Sequence, residues 1–415
     1  MVLRKYKPAI IGITGNVGKT STKEAVVSAL KIKYRVRGSQ KSYNSELGVP
    51  LTILNLDTAW SSPRGWLKNI WSGFKLILFS CDYPEYLVLE IGADKPGDIE
   101  NLVRWLPLKT GIITRVPDIP VHLEFFDSPK SIVKEKMNLA KAIPADGKII
   151  INSDDKNIYP PEINLKASLV TFGLKKEAMV RGSDIAFWYD KNGSEKNLIG
   201  LSFKINHQGK SMPIRIKGVL GEHHVYTYLA AMAVALDQGI NMLEAAEALE
   251  NHHLPPGRLK ILDGVKDSLI LDDSYNSSPA SLECALKALE DIKTEGRKIA
   301  IIGDMLELGG YTETAHRQIG QLAGKFCDYL ILVGQRIKYT ADEAQKHGFP
   351  KENILIHTDS QKAGKDAELL IQAGDVVLVK GSQSIRTEKA VEEIMKYPEN
   401  KNDLLCRQDP NWQNK

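Results

Sequence analysis

Apolar runs without alternation recur through the first half of this chain: Ala9-Ile10-Ile11, Tyr86 to Ile91, Thr110 to Thr114 and Lys148 to Asn152. Runs of that kind read as strands covered on both faces, and the longer stretches between them have helical character, one reaching about Ile32 and one holding Lys130, Lys134, Glu135 and Lys136. The pattern predicts a parallel, doubly wound sheet with polar residues at its strand ends. From about Leu169 to Ile216 it changes to short alternating runs. Ile185 to Tyr189 and Leu201 to Ile205 are punctuated by Asn192-Gly193 and Gln208-Gly209, which predicts an antiparallel meander appended to the parallel core. A helix rich in small residues follows from Gly221 to Ala235. The segment Leu254-Pro-Pro-Gly-Arg-Leu259 then stops everything before it. Beyond it, strand patterns at Leu269–Asp272, Ile299–Ile302, Tyr329–Val333, Ile354–Ile356 and Val376–Lys380 alternate with amphipathic stretches, predicting a second, Rossmann-like sheet. The expected organisation is 1–257, 258–397 and a polar, frayed tail at 398–415.

The stretch Gly12-Ile-Thr-Gly-Asn-Val-Gly-Lys-Thr-Ser-Thr22 lies between the first strand and the first helix. Small residues there let several N–H groups and the helix N-terminus converge on phosphate oxygens; Lys19 adds a point charge and Thr20 a hydroxyl suited to magnesium. The usual first glycine would fall at Ile13, with Gly12 and Gly15 to either side. The alternative is a glycine-rich turn that happens to precede Lys-Thr. Glu90 is a lone carboxylate closing an apolar strand, and a buried charge needs a partner. Either a metal beside bound phosphates or a neighbouring Lys or Arg would supply it.

The 55 basic and 51 acidic residues give a net charge of +4, too even to indicate a nucleic-acid partner. Cys81, Cys284, Cys327 and Cys406 are widely spaced and indicate neither a disulfide framework nor a zinc site, which fits a cytoplasmic protein. No secretion signal precedes the first strand. Trp66 to Phe79 is apolar but holds Lys68 and Lys75 and is short for a bilayer span. A core-packed helix is the favoured reading and weak contact with a membrane surface the other. The pairs His223-His224 and His252-His253 lack a compelling metal spacing and read as exposed or hydrogen-bonded histidines.

Thr14 to Thr20, Leu89-Glu-Ile-Gly-Ala93, Pro-Gly-Arg258, Asp272-Asp-Ser-Tyr-Asn276, Gly303-Asp-Met-Leu-Glu-Leu-Gly309 and Lys380-Gly-Ser382 occur in one order, and together they resemble the Mur ligase family over nearly the whole chain. Gly303 to Gly309 and Asp272 to Asn276 point to the branch that adds D-alanyl-D-alanine to a UDP-muramoyl tripeptide. The resemblance implies an α/β protein: a P-loop central ATPase domain with a parallel sheet and small antiparallel meander, then a Rossmann-like C-terminal domain. It also implies an ATP-dependent, ADP-forming peptide ligase working through an acyl phosphate. On that basis Gly15, Asn16, Val17, Gly18, Lys19, Thr20 and Ser21 hold ATP phosphates, with Lys19 at the β- and γ-phosphates. Thr20 and Glu90 hold one Mg2+, His122 a second, and Lys136 matches a lysine that relatives carbamoylate. Asp273 meets the ribose, Asn276 lies near the base and Arg258 reaches the phosphates from the hinge. Asn44, Lys380 and Ser382 face the acceptor peptide or the incoming amine.

The chain also departs from that family. Only about a dozen residues precede the phosphate loop, where relatives carry a domain that grips UDP, so the expectation includes a partner subunit supplying that grip or an acceptor that is not a UDP-sugar peptide. His224 and Thr227 replace asparagines, Gln383 replaces the arginine after Lys-Gly-Ser, and only Asn44 remains of an Asn-rich loop. Gln383 exchanges a bidentate charged fork for a neutral amide. The alternatives are a related ligase for a poly-amino acid, folate-like or pseudomurein-type acceptor, and a nucleotide-binding homologue that has lost ligation.

Overall fold

Residues 1–39, 43–189, 198–409 and 412 are described by a computed structural model. The first sheet has nine strands: β1 (Ala9–Thr14), β2 (Val36–Gly38), β3 (Tyr86–Glu90), β4 (Leu108–Ile113), β5 (Lys148–Asn152), β6 (Ser168–Gly173), β7 (Val180–Tyr189), β8 (Leu198–His207) and β9 (Lys210–Lys217). Their order is β2-β3-β1-β4-β5-β6-β7-β8-β9, parallel from β2 through β7 and antiparallel across β7-β8-β9. The isoleucines of β1, β4 and β5 are buried because helices cover both faces. On one face the helices Lys19–Leu30 and His223–Asp237 pack together, and Ala230, Ala231, Ala233 and Ala235 let the second come close. The helix Pro129–Lys141 covers the other face.

The meander differs from its expected form. It continues the parallel sheet edge-on through β6, whose Phe172 is buried, and the paired strands β7 and β8 are longer than the alternating runs alone indicate. The turn at Gln208-Gly209 joins β8 to β9. The predicted Asn192-Gly193 turn lies outside the described residues.

The second sheet comprises β10 (Lys260–Asp263), β11 (Leu269–Asp273), β12 (Lys298–Gly303), β13 (Tyr329–Val333), β14 (Ile354–His357) and β15 (Val376–Lys380), in the order β10-β11-β15-β12-β13-β14. All of it is parallel except β10, which pairs antiparallel with β11 and returns the chain from the first domain. At the hinge, Leu220 N–H donates to Leu259 and Tyr275 N–H to Gly257. Gly257 has φ 69°, and a side chain there would press on the Tyr275 backbone.

Two expectations are overturned. The tail is docked rather than frayed over its first part: Leu405, Cys406 and Arg407 are buried, and Arg407 donates to the carbonyls of Ser274 and Tyr275 and pairs with Glu388. A buried arginine inside a polar-looking tail satisfies groups the second domain would otherwise leave open. The Trp66–Phe79 stretch forms most of a helix, Pro63–Leu78, that is not core-packed. It seats Gly73, Leu76 and Ile77 on the domain, with the Asn69 amide donating to Asp57 O, and turns Leu67, Ile70, Trp71, Phe74 and Leu78 outward.

Candidate active site

Strand order brings the chemistry together. In a parallel sheet the polar groups gather beyond the carboxyl ends, and β3, β1 and β4 are neighbours, so Glu90, the loop after β1 and the segment after β4 converge. Ile13 pairs in register with Glu90.

The loop from Gly15 to Gly18 is held from below. Asn16 N–H donates to the Arg115 carbonyl at 2.7 Å, its amide to Val121 at 3.3 Å, and Thr114 Oγ1 donates to Val17 O at 2.7 Å. Gly15 (φ 143°) leaves room for the Thr114 hydroxyl and Gly18 (φ 85°) starts the helix in a left-handed conformation, so a side chain at either would be strained. The first-turn N–H groups of the Lys19–Leu30 helix thus lie at the head of the loop, where a phosphate binds. Ser21 is buried beneath that turn.

Thr20 Oγ1 donates to Glu90 Oε2 at 2.9 Å, and the Asn44 amide donates to Glu90 Oε1 at 3.1 Å. Glu90 is 2% exposed and both its oxygens are engaged by a hydroxyl and an amide, where the sequence left a metal or a neighbouring Lys or Arg as the partner. Lys19 is half-buried. The protein around it pulls its ammonium below the usual lysine range, against the raising pull of Glu90. Lys136 is buried on the Pro129–Lys141 helix, whose start Ser128 and Ser131 fix by a reciprocal cap. Burial, with repulsion from Lys19, lowers its pKa to about 7. The adjacent Glu135 instead accepts from Gly97 N–H and Ile99 N–H and so caps another helix.

His122 (φ 70°) reaches across the cleft: its Nδ1 lies 2.7 Å from Glu307 Oε2 of the second domain, while Nε2 lies 3.9 Å from Asp94. The hydrogen bond from His122 holds the Glu307 carboxyl below the usual range. On the second sheet, register places Asp273 beside Lys380, and their charged atoms are 2.6 Å apart. Lys380 also donates to Asn276 O at 2.8 Å. Burial raises the Asp273 carboxyl and the Lys380 ammonium opposes that. Lys380 and Ser382 were expected to face a substrate; here Lys380 is 2% exposed and Ser382 Oγ accepts from Leu306 N–H at 2.9 Å, steadying the Gly303–Gly309 loop. Arg258 stacks on the Tyr275 ring at 3.9 Å, and His224 Nε2 bonds its carbonyl at 3.0 Å. His224 is therefore a buried, hydrogen-bonded histidine, its pKa lowered by burial to about 3.

Between the domains lies a cavity of about 1090 Å3, ample for a nucleoside. Arg115, Asp154, His223 and Tyr226 line it from the first domain, and Pro279 and Cys284 from the second. Asp154 accepts from Tyr226 Oη at 3.0 Å, and Arg115 donates to Cys284 Sγ at 3.8 Å. Arg115 therefore touches both the cavity and the phosphate loop. Sequence reasoning missed Arg115, Asp154, Tyr226 and Glu307. Of these Glu307 lay inside the Gly303–Gly309 motif and Asp154 just past the strand Lys148–Asn152, where the sequence indicated no more than a polar strand end.

A phosphate loop on one α/β domain, joined through Arg115 to a nucleoside-sized cavity shared with a second Rossmann-like domain, is the arrangement of a two-domain nucleotide-dependent enzyme. The chain belongs to the Mur ligase family: residues 13–235 match the Mur ligase middle domain and residues 257–383 the Mur ligase glutamate ligase domain. It is thereby an ATP-dependent ligase. It is 26% identical over 400 residues to the UDP-N-acetylmuramoyl-tripeptide–D-alanyl-D-alanine ligase of Bacillus subtilis, covering 95% of this chain and 78% of that one. The ligase of the same name from Escherichia coli is 24% identical over 403 residues, covering 94% and 77%. In fold it is similar to the MurF ligase of Thermotoga maritima in complex with ADP, with a TM-score of 0.74 at 23% identity over 96% of this chain and 82% of that one. MurF from Acinetobacter baumannii gives a TM-score of 0.75 over 94% and 77%.

Proposed function

We propose that this chain adds D-alanyl-D-alanine to a UDP-muramoyl tripeptide, forming ADP and phosphate. The observation that carries this reading is the junction of Lys19, Thr20 and Glu90 at the carboxyl ends of β1 and β3, in a chain 95% of which aligns with a relative of that name. In this reading the backbone of Gly15 to Thr20 and Lys19 hold the ATP phosphates, Ser21 supports that turn, and Asp273 and Asn276, which stand outside the cavity's lining, meet the ribose and base. The acceptor's terminal carboxylate forms a bond to the γ-phosphorus as the bridging oxygen of ADP leaves. The dipeptide amine then attacks the acyl carbon, phosphate leaves, and the amine proton passes to solvent. Such transfers depend on positioning and charge neutralisation, which Lys19 and Arg258 supply from two sides.

The donor set at Glu90 fits a hard cation, since a buried carboxylate and a hydroxyl are oxygen ligands 2.9 Å apart. Thr20 and Glu90 would hold one Mg2+, and His122 with a carbamoylated Lys136 a second. Bound there, the metal neutralises charge developing on the phosphates. Burial lowers the Lys136 pKa to about 7, which raises the share of neutral amine, the form that adds carbon dioxide. Asn44 steadies Glu90, and Lys380 with Ser382 orders the strand end beside Asp273.

The test is phosphate release from ATP with UDP-muramoyl tripeptide and D-alanyl-D-alanine, together and each omitted. Release that needs both, falling by about 100-fold or more in Lys19→Ala, is expected; loss of one preorganised charge contact has that size. Labelled bicarbonate should give a carbamate carbon signal that Lys136→Arg abolishes. ATP binding without release would overturn the assignment. Gln383, exposed where relatives carry arginine, favours a second reading in which the acceptor is a different acidic peptide. Release with such a peptide and none with the UDP tripeptide would establish it.

A further inference from the structure

The Pro63–Leu78 helix takes no part in the cleft, and its packing is inverted relative to an ordinary surface helix. Leu67 is 69% exposed and Leu78 70%, and Ile70, Trp71, Phe74 and the following Phe79 are exposed beside them. At about 100° per residue these side chains form one stripe along the outer face. Arg64, Lys68 and Lys75, all exposed, form a second strip along its edge, with the Lys75 ammonium over the Trp71 ring at 6.0 Å. Asp and Glu are absent from Trp60 through Cys81.

The helix is fastened by its last turn, and along its length by the Asn69 amide, which donates to Asp57 O at 2.8 Å, rather than by its outer apolar face. Lys5 Nζ donates to the carbonyls of Leu76, Ile77 and Phe79, and Tyr6 Oη to those of Leu76 and Phe79. These contacts satisfy the last-turn carbonyls and bring the Val2–Tyr6 helix, with Arg4 and Lys7 exposed, to the same end of the patch. The apolar stripe is left free.

We propose that this face docks on an anionic lipid bilayer, the apolar stripe entering the interface and the basic strip meeting lipid phosphates. Charge decides the occupant. A twofold copy of this chain would bring its arginine and lysines against their own images, whereas an anionic surface complements all of them. Tryptophan and phenylalanine beside lysine suit the boundary between headgroup and acyl chain. At 16 residues with two lysines and an arginine the helix lies on a membrane; among the described residues, no helix is long and apolar enough to cross one.

The full chain should float with vesicles of equal parts phosphatidylglycerol and phosphatidylcholine, remain in solution with phosphatidylcholine alone, and dissociate as salt is raised. Each basic residue near an anionic surface contributes about fivefold in affinity, so Lys68→Glu/Lys75→Glu should weaken flotation by at least about 25-fold. Trp71→Ser/Phe74→Ser should abolish it. Both variants alter exposed side chains, so their unfolding midpoints should match the parent's. No flotation with phosphatidylglycerol at low salt overturns the proposal. So does concentration-dependent dimerisation, seen by sedimentation without vesicle binding and lost in Trp71→Ser/Phe74→Ser, which would assign the face to a second copy.

Discussion

Among single residues, Asp272 differs from its neighbour in kind. Asp273 has Lys380 beside it; Asp272 is fully buried, accepts from Ser274 N–H through Oδ1, and its Oδ2 has no hydrogen-bond partner among the described residues. Burial raises its carboxyl from the ordinary 3.8 to about 6. The folded protein therefore binds this proton more tightly than the unfolded chain does. Stability from this site is greatest below about pH 4 and declines as pH rises through about 6, a loss of about 3 kcal/mol above both values. Asp272→Asn fixes the neutral form. Denaturant titrations should find the variant more stable than the parent at pH 8, with the advantage shrinking as pH falls towards 4. An advantage independent of pH would show that packing and not ionisation governs the site.

At the scale of elements, the docked tail carries a prediction of the same physical kind. Arg407 pairs with Glu388 at 2.5 Å; both side chains are almost wholly buried, and Arg386 also bonds Glu388. Removing one partner of such a pair leaves a charge without compensation in the interior. Arg407→Ala should lower stability by about 3 kcal/mol, read from the denaturant midpoint, whereas an unchanged midpoint would mean that residues beyond 397 do not support the second domain. The sequence hid this element because Pro398 to Lys401 is polar and the single buried arginine has no periodicity around it. Parallel strands were legible because burial on both faces writes itself as unbroken Ile, Leu and Val, as in Lys148–Asn152. The phosphate loop was legible for a different reason: its glycines and lysine are demanded locally, by backbone conformation and charge. Arg115, Asp154 and Tyr226 were not, since they become neighbours only when strand order and the second domain bring three distant segments to one cavity. The exposed stripe of Pro63–Leu78 misled for the converse reason, as an apolar face reads the same whether protein or another phase covers it.

For the molecule as a whole, the decisive contact is the one between domains. The phosphate loop, Glu90 and Lys136 belong to the first domain and Asp273, Asn276 and Lys380 to the second, so neither domain alone holds all the residues proposed for the site. Closing the cleft also keeps water from an acyl phosphate, which would otherwise hydrolyse. His122 to Glu307 spans that cleft, and Gly309 lies against the Glu124 backbone beside it. Glu307 is half exposed, so the pair contributes at most about 1 kcal/mol, equivalent to about fivefold in the ratio of closed to open molecules. An equilibrium balanced near unity would be moved visibly by that amount. Glu307→Ala should therefore enlarge the radius of gyration in solution scattering without nucleotide, while ATP with Mg2+, by bridging both domains, should return it to the parent's value. An enlarged radius that nucleotide fails to reduce would mean Glu307 supports the bound state itself. An unchanged radius would place the closing force in the other contacts between the domains, among them Arg115 with Cys284 and the hinge bonds of Leu220 with Leu259 and Tyr275 with Gly257.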